Sequence, residues 1–600
     1  MNKVDFSKVE ITGGFWKGKQ DLVRETTVWA VYDRFKETGR FDALKCIKDS
    51  AIKPHIFWDS DVAKWIEGVA YLLEKKEAPE LEKIVDGLIE DIGKNQEECG
   101  YFNSYYLVLD YDERFTKRDC HELYCAGHFI EAAVAYYNAT GKRALLDIMI
   151  KYVSYIEKRF KIDKDTGFKT PGHEEIELAL VRLYEITGDA SHLELSKFFV
   201  DERRCETLGV DWSYEAYNQS HKLVREQETA EGHAVRATYL YCAMADLALK
   251  TGDEGLKNAC VKIFDDIVNH KMYITGGIGS SQAGEAFTVS YDLPNLLAYT
   301  ESCAAIGLIF FAQRMLLLTN DAKYSNVIER ALYNGFLSSI SLDGKSFFYC
   351  NPLEILPTVK NRDVSVSYKA IYLPDYQRLE VFDCSCCPPN IVRFIPSIGN
   401  LLYTYDENAI YVHQFMESVA RLEIDGECVE ITQKTNYPMD GRIVITVKGT
   451  SRKIYVRIPE FADPAAYNMD RGYAVMEPDS KIILDLDMTP RFIEANPNVL
   501  DDAGKCALMK GPVVYCLESV DNGKNLRDIV IDTEGKITEG YDKDLGVATL
   551  NAEAYRRNYA ENTLYRPLKK VYDRVKIKLI PYYAFANREL CEMQVWTQYK

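Results

Sequence analysis

The chain has 600 residues, 47% hydrophobic and 27% charged, which is too much for one hydrophobic core and predicts an ordinary soluble globular protein of two to four domains. With 73 basic against 91 acidic residues the net charge is -18; no Lys/Arg stripe offsets it, which argues against nucleic-acid and membrane-surface roles. The opening MNKVDFSKVEITGGFW lacks the apolar core of a secretory signal, and no stretch is read as approaching the ~18 uncharged apolar residues of a membrane span, so the expected address is cytoplasmic.

Up to about residue 400 the pattern is helical. Apolar residues at three- to four-residue spacing run over 122–137, 174–186, 237–250 and 307–318. These segments end in Thr140-Gly141-Lys142, Thr187-Gly188-Asp189, Thr251-Gly252-Asp253 and Thr319-Asn320-Asp321. Gly or Asn after the last periodic residue is a helix C-cap, because both accept the left-handed conformation. One phrase recurring four times suggests a helical repeat array. A closed ring of helix pairs, an α/α toroid, accounts for the length better than an irregular helical domain, and places a ligand site on the loops at one mouth.

After about 405, short runs of period-2 alternation appear at 410–414, 429–433, 442–447, 453–458 and 481–486, separated by Gly, Pro, Asn and Asp. They read as an antiparallel β-sandwich. Runs at 508–517, 575–580 and 592–597 suggest a second β unit, while 520–570 is polar and carries no clear pattern. The expected division is 1–405, 406–505 and 506–600.

Most of the 16 cysteines, such as Cys242, Cys260 and Cys516, read as single buried apolar residues. Cys384-Ser385-Cys386-Cys387-Pro388-Pro389-Asn390 is different: three thiols within four residues, suited to a transition metal and most of all to Zn2+. The prolines are expected to exclude a continuing helix. There is no second C-x-x-C, so further ligands must come from elsewhere; Glu301-Ser302-Cys303, at the start of an apolar helix, supplies a carboxylate and a thiol. A closed, purely structural metal site is the alternative.

Upstream, 275–287 (TGGIGSSQAGEAF) suggests a loop whose backbone approaches a ligand, with Glu285 as a candidate general acid or a solvated surface residue. His121, His173 and His233 fall at helix starts and His128 within a helix. Each alone reads as a cap, but equivalent places in a repeat array would bring the first three to one mouth. The segment 57–68 (FWDSDVAKWIEG) offers aromatic and acidic groups for a sugar, or is an ordinary amphipathic helix.

Taken in order from about residue 12, the phrases FWDSDVAKW, HELYCAGH, GHEEIELALVRLYEITGD, GHAVRA, GGIGS, GEAF, YTESCAAIG, ERALYNG, FFYCNPLE, CCPPN, KGPVVYCLE and IPYYAFANRE resemble the bacterial β-L-arabinofuranosidases of glycoside hydrolase family 127. The resemblance implies an (α/α)6 barrel followed by β-sandwich domains, and a retaining exo-glycosidase. It implies zinc held by Glu301, Cys303, Cys386 and Cys387, with Cys386 as nucleophile and Glu285 as acid/base. His121, His173, His233, Glu329 and Tyr349 match sugar-contacting positions, Glu122 is a second contact beside His121, and Cys384 falls in the motif without an assigned role. Cys386 and Cys387 are chemically alike, and only the family distinguishes them. The chain departs from the family at 95–105 (NQEECGYFNSY, where members often read QPDGYLNTY), at Lys222 where proline is usual, and over 520–570. The expected partner is a small oligosaccharide or arabinofuranoside, with a homodimer left open. Alternatives are a glycosidase for another furanose or deoxy sugar, a sugar epimerase on an α/α toroid, and a non-catalytic carbohydrate-binding protein with a stapling metal.

Overall fold

A computed structural model describes residues 1–204, 215–360, 362–365, 373–381, 384–478, 481–558, 563–568 and 572–600. Six helices form a closed inner ring: α1 (Trp58–Lys75), α2 (Glu122–Thr140), α3 (Ile176–Thr187), α4 (Ala234–Thr251), α5 (Ser302–Thr319) and the short α6 (Cys387–Phe394). Each packs on the next, and α6 packs back on α1. Outer helices Pro79–Asn95, Ala144–Glu157, Ala190–Asp201, Glu254–Asp266 and Ala322–Ala331 follow the first five. The N-terminal Val28–Glu37 covers α6 and α1, completing an (α/α)6 barrel.

The recurring phrase explains the alternation. Gly141, Gly188, Gly252 and Asn320 all take left-handed φ, between 54° and 73°, and end α2 to α5. The preceding threonines hydrogen-bond back to Tyr136, Leu183, Leu247 and Met315 carbonyls. Asp189, Asp253 and Asp321 then cap the following outer helices, accepting from Ser191, Leu256 and Lys323 amides. Three residues thus stop one helix and start the next.

Because the inner ring is wrapped by outer helices, its helices are buried nearly all round, and α5 is apolar along most of its length. The expectation that no segment could pass for a membrane span fails at α5, which is long and apolar enough by composition, but 67% of it is buried inside the protein. The acidic and aromatic residues of 57–68 also serve the core. Asp59 accepts from the Ser104 amide at 2.8 Å, Asp61 pairs with Arg40 at 3.0 Å, and Trp65 donates to the Val28 carbonyl at 3.0 Å.

A sandwich of a six-stranded and a five-stranded sheet follows the barrel. Strand Arg442–Lys448 alternates buried Ile443, Ile445 and Val447 with outward residues. The chain's start joins both sheets: Asn2–Lys3 pairs with Tyr403–Tyr405, and Val9–Ile11 with Ser418–Ile424. A ten-stranded sheet comes last. The run 508–517 is a hairpin, Lys505–Lys510 with Val513–Glu518. The unreadable 520–570 contributes Ile529–Ile531, Thr538–Asp542 and Val547–Arg557. Strand Arg491–Glu494 pairs into this sheet rather than into the sandwich. The C-terminal sheet reaches the barrel mouth: Tyr582 OH donates to the Asn351 carbonyl at 2.9 Å.

Candidate active site

The N-terminal ends of the inner helices converge. Glu301 is the N-cap residue of α5, with Cys303 in its first turn; Cys386 is the N-cap residue of α6, with Cys387 its first residue. Cys303 and Cys387 Sγ lie 3.5 Å apart, and Cys386 and Cys387 Sγ 3.6 Å. Glu301 Oε1 is 3.5 Å from Cys386 Sγ and 3.8 Å from Cys387 Sγ. A tetrahedral zinc with Zn–S of ~2.3 Å has ligand–ligand edges of roughly 3.8 Å, so the four donors are spaced as such an ion requires. Two helix N-termini meeting there favour anionic ligands.

The electrostatics agree. Burial, then Cys386 and Glu285, pushes the Glu301 carboxyl well above its usual range. Burial and the Cys303 and Cys386 sulfurs push Cys387 up likewise. Burial also works against the Cys303 thiolate, but hydrogen bonds from Cys386 and Cys387 outweigh it and draw Cys303 down. Four anions cannot share this buried space without protons or a cation, and a divalent ion displaces those protons. No N–H group donates to the buried Glu301 Oε2 among the described residues, and the Glu301 carboxyl has the Glu285 carboxyl as its hydrogen-bonding neighbour. The residues present fit a bound metal.

Three histidines line the same mouth. The His121 and His173 rings lie 5.6 Å apart, and His173 and His233 again 5.6 Å, with the Tyr124 ring 4.1 Å from His173 and tilted to it by 42°. His233 Nδ1 accepts from the Val235 amide at 3.2 Å and caps α4. That leaves Nε2 to carry the proton, and it faces Glu285 Oε2 at 3.1 Å. Tyr349 OH donates to the same oxygen at 3.1 Å. Burial opposes ionisation of Glu285, but His233, then hydrogen bonds from Glu301 and Tyr349, outweigh it and hold the carboxyl below its usual range. Burial lowers His121 to about 3 and drives His173 well below its ordinary value, so both rings are neutral.

Loop pairing sets these positions. Ser281 and Ala286 exchange backbone hydrogen bonds, and the Phe287 amide donates to the Gly232 carbonyl at 2.9 Å, which lays Glu285 against His233. Asn351 braces the other side, donating to the Thr300 carbonyl at 3.0 Å and to Ser302 Oγ at 3.1 Å. His121, Glu285 and Thr300 are non-glycine residues at φ 59°, 53° and 40°. For the β-branched Thr300 this is strained, and its Oγ1 bond to the Asn351 carbonyl at 2.6 Å holds it there.

Residues 8–400 match the family described as "Beta-L-arabinofuranosidase, GH127 catalytic domain". The chain belongs to glycoside hydrolase family 127. Residues 409–481 match the family's middle domain and 490–598 its C-terminal domain. The chain is 33% identical to a non-reducing end β-L-arabinofuranosidase of Bifidobacterium longum subsp. longum, over 98% of this chain and 99% of that protein. A GH127 β-L-arabinofuranosidase crystal structure from Geobacillus stearothermophilus T6 superposes with a TM-score of 0.92 at 42% identity, covering 99% of this chain and 100% of that one. A further GH127 β-arabinofuranosidase structure gives 0.89 at 34% identity, covering 100% and 98%.

Within this family 127 barrel the sequence-selected residues sort into two groups. Glu285, Glu301, Cys303, Cys386, Cys387, His121, His173, His233 and Tyr349 come together, with Cys384 Sγ 3.9 Å from Tyr349 OH. Glu122 and Glu329 do not join them. Glu122 is turned to Tyr101 OH and the Phe115 amide, both at 2.7 Å. Glu329 accepts from Tyr437 OH at 2.7 Å and from Nη1 and Nη2 of Arg457, at the joint between barrel and sandwich.

Two local readings are corrected. Pro388 and Pro389 do not exclude a helix; they sit in the first turn of α6, where the missing amide hydrogens have no intrahelical partners to lose. The glycines of 276–279 meet protein rather than a ligand: a Cβ on Gly276 would lie 2.5 Å from the Ala331 backbone. Sequence reading missed Asn351, although it lies in the shared phrase FFYCNPLE. It also missed Arg393 on α6, whose partner Glu67 is 326 residues away and leaves no local signal.

Proposed function

We propose that this family 127 enzyme is a retaining exo-glycosidase that releases non-reducing-terminal β-L-arabinofuranose, with Cys386 as nucleophile and Glu285 as acid/base. The observation that carries the reading is the contrast between the two adjacent thiols. Cys387 is fully buried, whereas Cys386 is half-buried at the mouth that holds Glu285 and the three histidines.

Glu301, Cys303, Cys386 and Cys387 would hold the ion, zinc by the softness of the donors, and when bound it supplies positive charge that keeps the thiols deprotonated at neutral pH. In the first step the Cys386 thiolate attacks the anomeric carbon, the C–O bond to the aglycone breaks, and Glu285 gives its proton to the departing oxygen. In the second, Glu285 takes a proton from water, the water oxygen attacks the same carbon, and the C–S bond breaks to restore the thiolate. Two inversions give retention, as in enzymes with a carboxylate nucleophile. Glu285 as held by His233 and Tyr349 is a carboxylate, the form the second step needs. Sugar hydroxyls taking over those two donors would raise its affinity for the proton used in the first. His121, His173 and His233, neutral and close-set, suit hydroxyls that must be oriented without charge.

The test is a screen of aryl furanosides and pyranosides of both anomeric configurations. Turnover of the aryl β-L-arabinofuranoside well above the rest is expected; preference for a pyranoside, or no turnover of any member, would sink the assignment.

A further inference from the structure

Lys64 stands in the second turn of α1 with its side chain fully enclosed, 0% exposed. An ammonium has three hydrogens to give and nothing to accept with, so burial is costly unless oxygen or negative charge surrounds it. Its surroundings are sparse. Nζ donates to Tyr124 OH at 3.1 Å, and Asp61 Oδ1 is 3.9 Å away, beyond hydrogen-bond range. Asp61 is shared: its Oδ2 accepts from Arg40 Nε at 3.0 Å. Glu175, which the Lys64 charge also reaches, is pushed by burial and then by Glu131 well above the carboxylate range and supplies no negative charge. A neutral hydroxyl and a share in one carboxylate leave the buried ammonium short of counter-charge.

Negative charge is close by, at the metal donors. Burial, then Tyr239 and the Cys386 and Cys303 sulfurs, push the Tyr124 hydroxyl well above its usual range, so the group that accepts from Lys64 stands near both sulfurs. Burial and Glu301 work against the Cys303 thiolate, while the Cys386 and Cys387 hydrogen bonds, and then the Lys64 charge, work for it. Three thiolates and the Glu301 carboxylate carry four negative charges, of which a divalent ion offsets two. The other cations near the site are engaged elsewhere: Arg236 Nη1 donates to the Gly172 carbonyl at 2.6 Å and lies 3.6 Å from Asp119, and Arg393 is held by Glu67. We propose that Lys64 is the fixed counter-charge of the metal centre, a positioning residue that offsets the excess negative charge of the occupied Glu301, Cys303, Cys386 and Cys387 set without being a ligand. The surplus on one side and the shortage on the other cancel across a short distance of low dielectric, where a unit charge has its largest effect. This rests on the reading of those four residues as a metal site.

The affinity of the full chain for Zn2+ is measured by competition with a chromophoric chelator, and urea unfolding is followed on the zinc-free protein. Lys64→Met and Lys64→Gln, which remove the charge, are expected to bind zinc about tenfold more weakly than wild type or worse. Their zinc-free forms are expected to unfold at the same or higher urea, because an empty site with protonated thiols offers Lys64 no partner to lose. Tyr124→Phe keeps the charge and removes only the hydroxyl, and is expected to retain the wild-type affinity for zinc. Charge-free variants that bind zinc as wild type does, that lose stability without zinc, or that fail to fold overturn the proposal. A Tyr124→Phe protein as weakened as they are overturns it too, since the effect would then be one of packing. A wild type that binds no zinc overturns the metal reading itself, whereas wild-type binding with unaltered Lys64 variants overturns only the role of Lys64.

Discussion

Arg393 Nη1 donates to Glu67 Oε2 at 2.7 Å, joining α6, the helix that opens at Cys387, to its ring neighbour α1. Both side chains are 3% exposed. Arg182 and Tyr71 share the Glu67 carboxylate, and Arg393 also reaches Tyr239 OH at 3.2 Å. Burial alone would keep Glu67 protonated, but Arg393 and Arg182 hold it ionised. The cysteine pair therefore stands on a helix pinned by a buried charge network.

Breaking that pin should be costly. Glu67→Ala leaves Arg393 buried without its main counter-charge, a change of the kind that costs about 3–5 kcal/mol. Urea denaturation should register that loss, and metal content at limiting free zinc should fall with it as the Cys386–Cys387 turn loosens. Unchanged stability would mean that Tyr239 and Glu131, whose Oε2 lies 3.6 Å from Arg393 Nη1, suffice to hold Arg393.

The metal set yields a graded expectation. Cys303→Ser and Cys387→Ser each remove a buried ligand and should lower zinc affinity by more than roughly 100-fold, since even outer partners of a metal ligand are worth about 10- to 100-fold. Competition with a chromophoric chelator measures this. Full-affinity zinc binding in both variants would place the ion elsewhere.

Glu285→Gln should slow hydrolysis by roughly 100- to 10,000-fold for aglycones that need protonation. The loss should shrink for a dinitrophenyl leaving group, and added azide should restore turnover in place of activated water. Equal losses across leaving groups would contradict the acid/base role.

His413 supplies a pH test away from the metal. Burial, then Arg457, depresses it to about 3, and it is wedged between Thr404 Oγ1 at 2.7 Å and Tyr473 OH at 3.0 Å. The unfolded chain protonates this residue near 6.5 while the folded chain does not, so its contribution is full above pH 6.5 and is lost as pH falls toward 3. At pH 5 the loss is about 2 kcal/mol relative to pH 7.5. His413→Gln should remove that share of the pH dependence of unfolding free energy.

How much of this was legible in the sequence follows from the range of each interaction. Helix ends were readable because Gly141, Gly188, Gly252 and Asn320 act within a few residues. Strands 442–448 and 453–457 were readable because alternation is local. The prolines after Cys387 misled because proline breaks a helix interior but suits a first turn, and composition does not show which applies. Thr538–Asp542, reading TEGYD, is a largely exposed strand with no apolar face to announce it. Glu122 and Glu329 share motifs with the site residues, but sequence neighbourhood does not fix which way a side chain turns. The Arg393–Glu67 pair is a property of ring closure and has no signature in either segment.

Cys386 is the centre of the account, and trapping the glycosylated enzyme tests it most directly. Enzyme turning over an aryl β-L-arabinofuranoside with a fast leaving group is quenched in acid, digested and mapped by mass spectrometry. The account predicts an added anhydropentose on the peptide containing Cys386, localised to that sulfur and absent from Cys386→Ser, which should be inactive. Wild-type turnover with no adduct on that peptide, together with undiminished activity of Cys386→Ser, would contradict it.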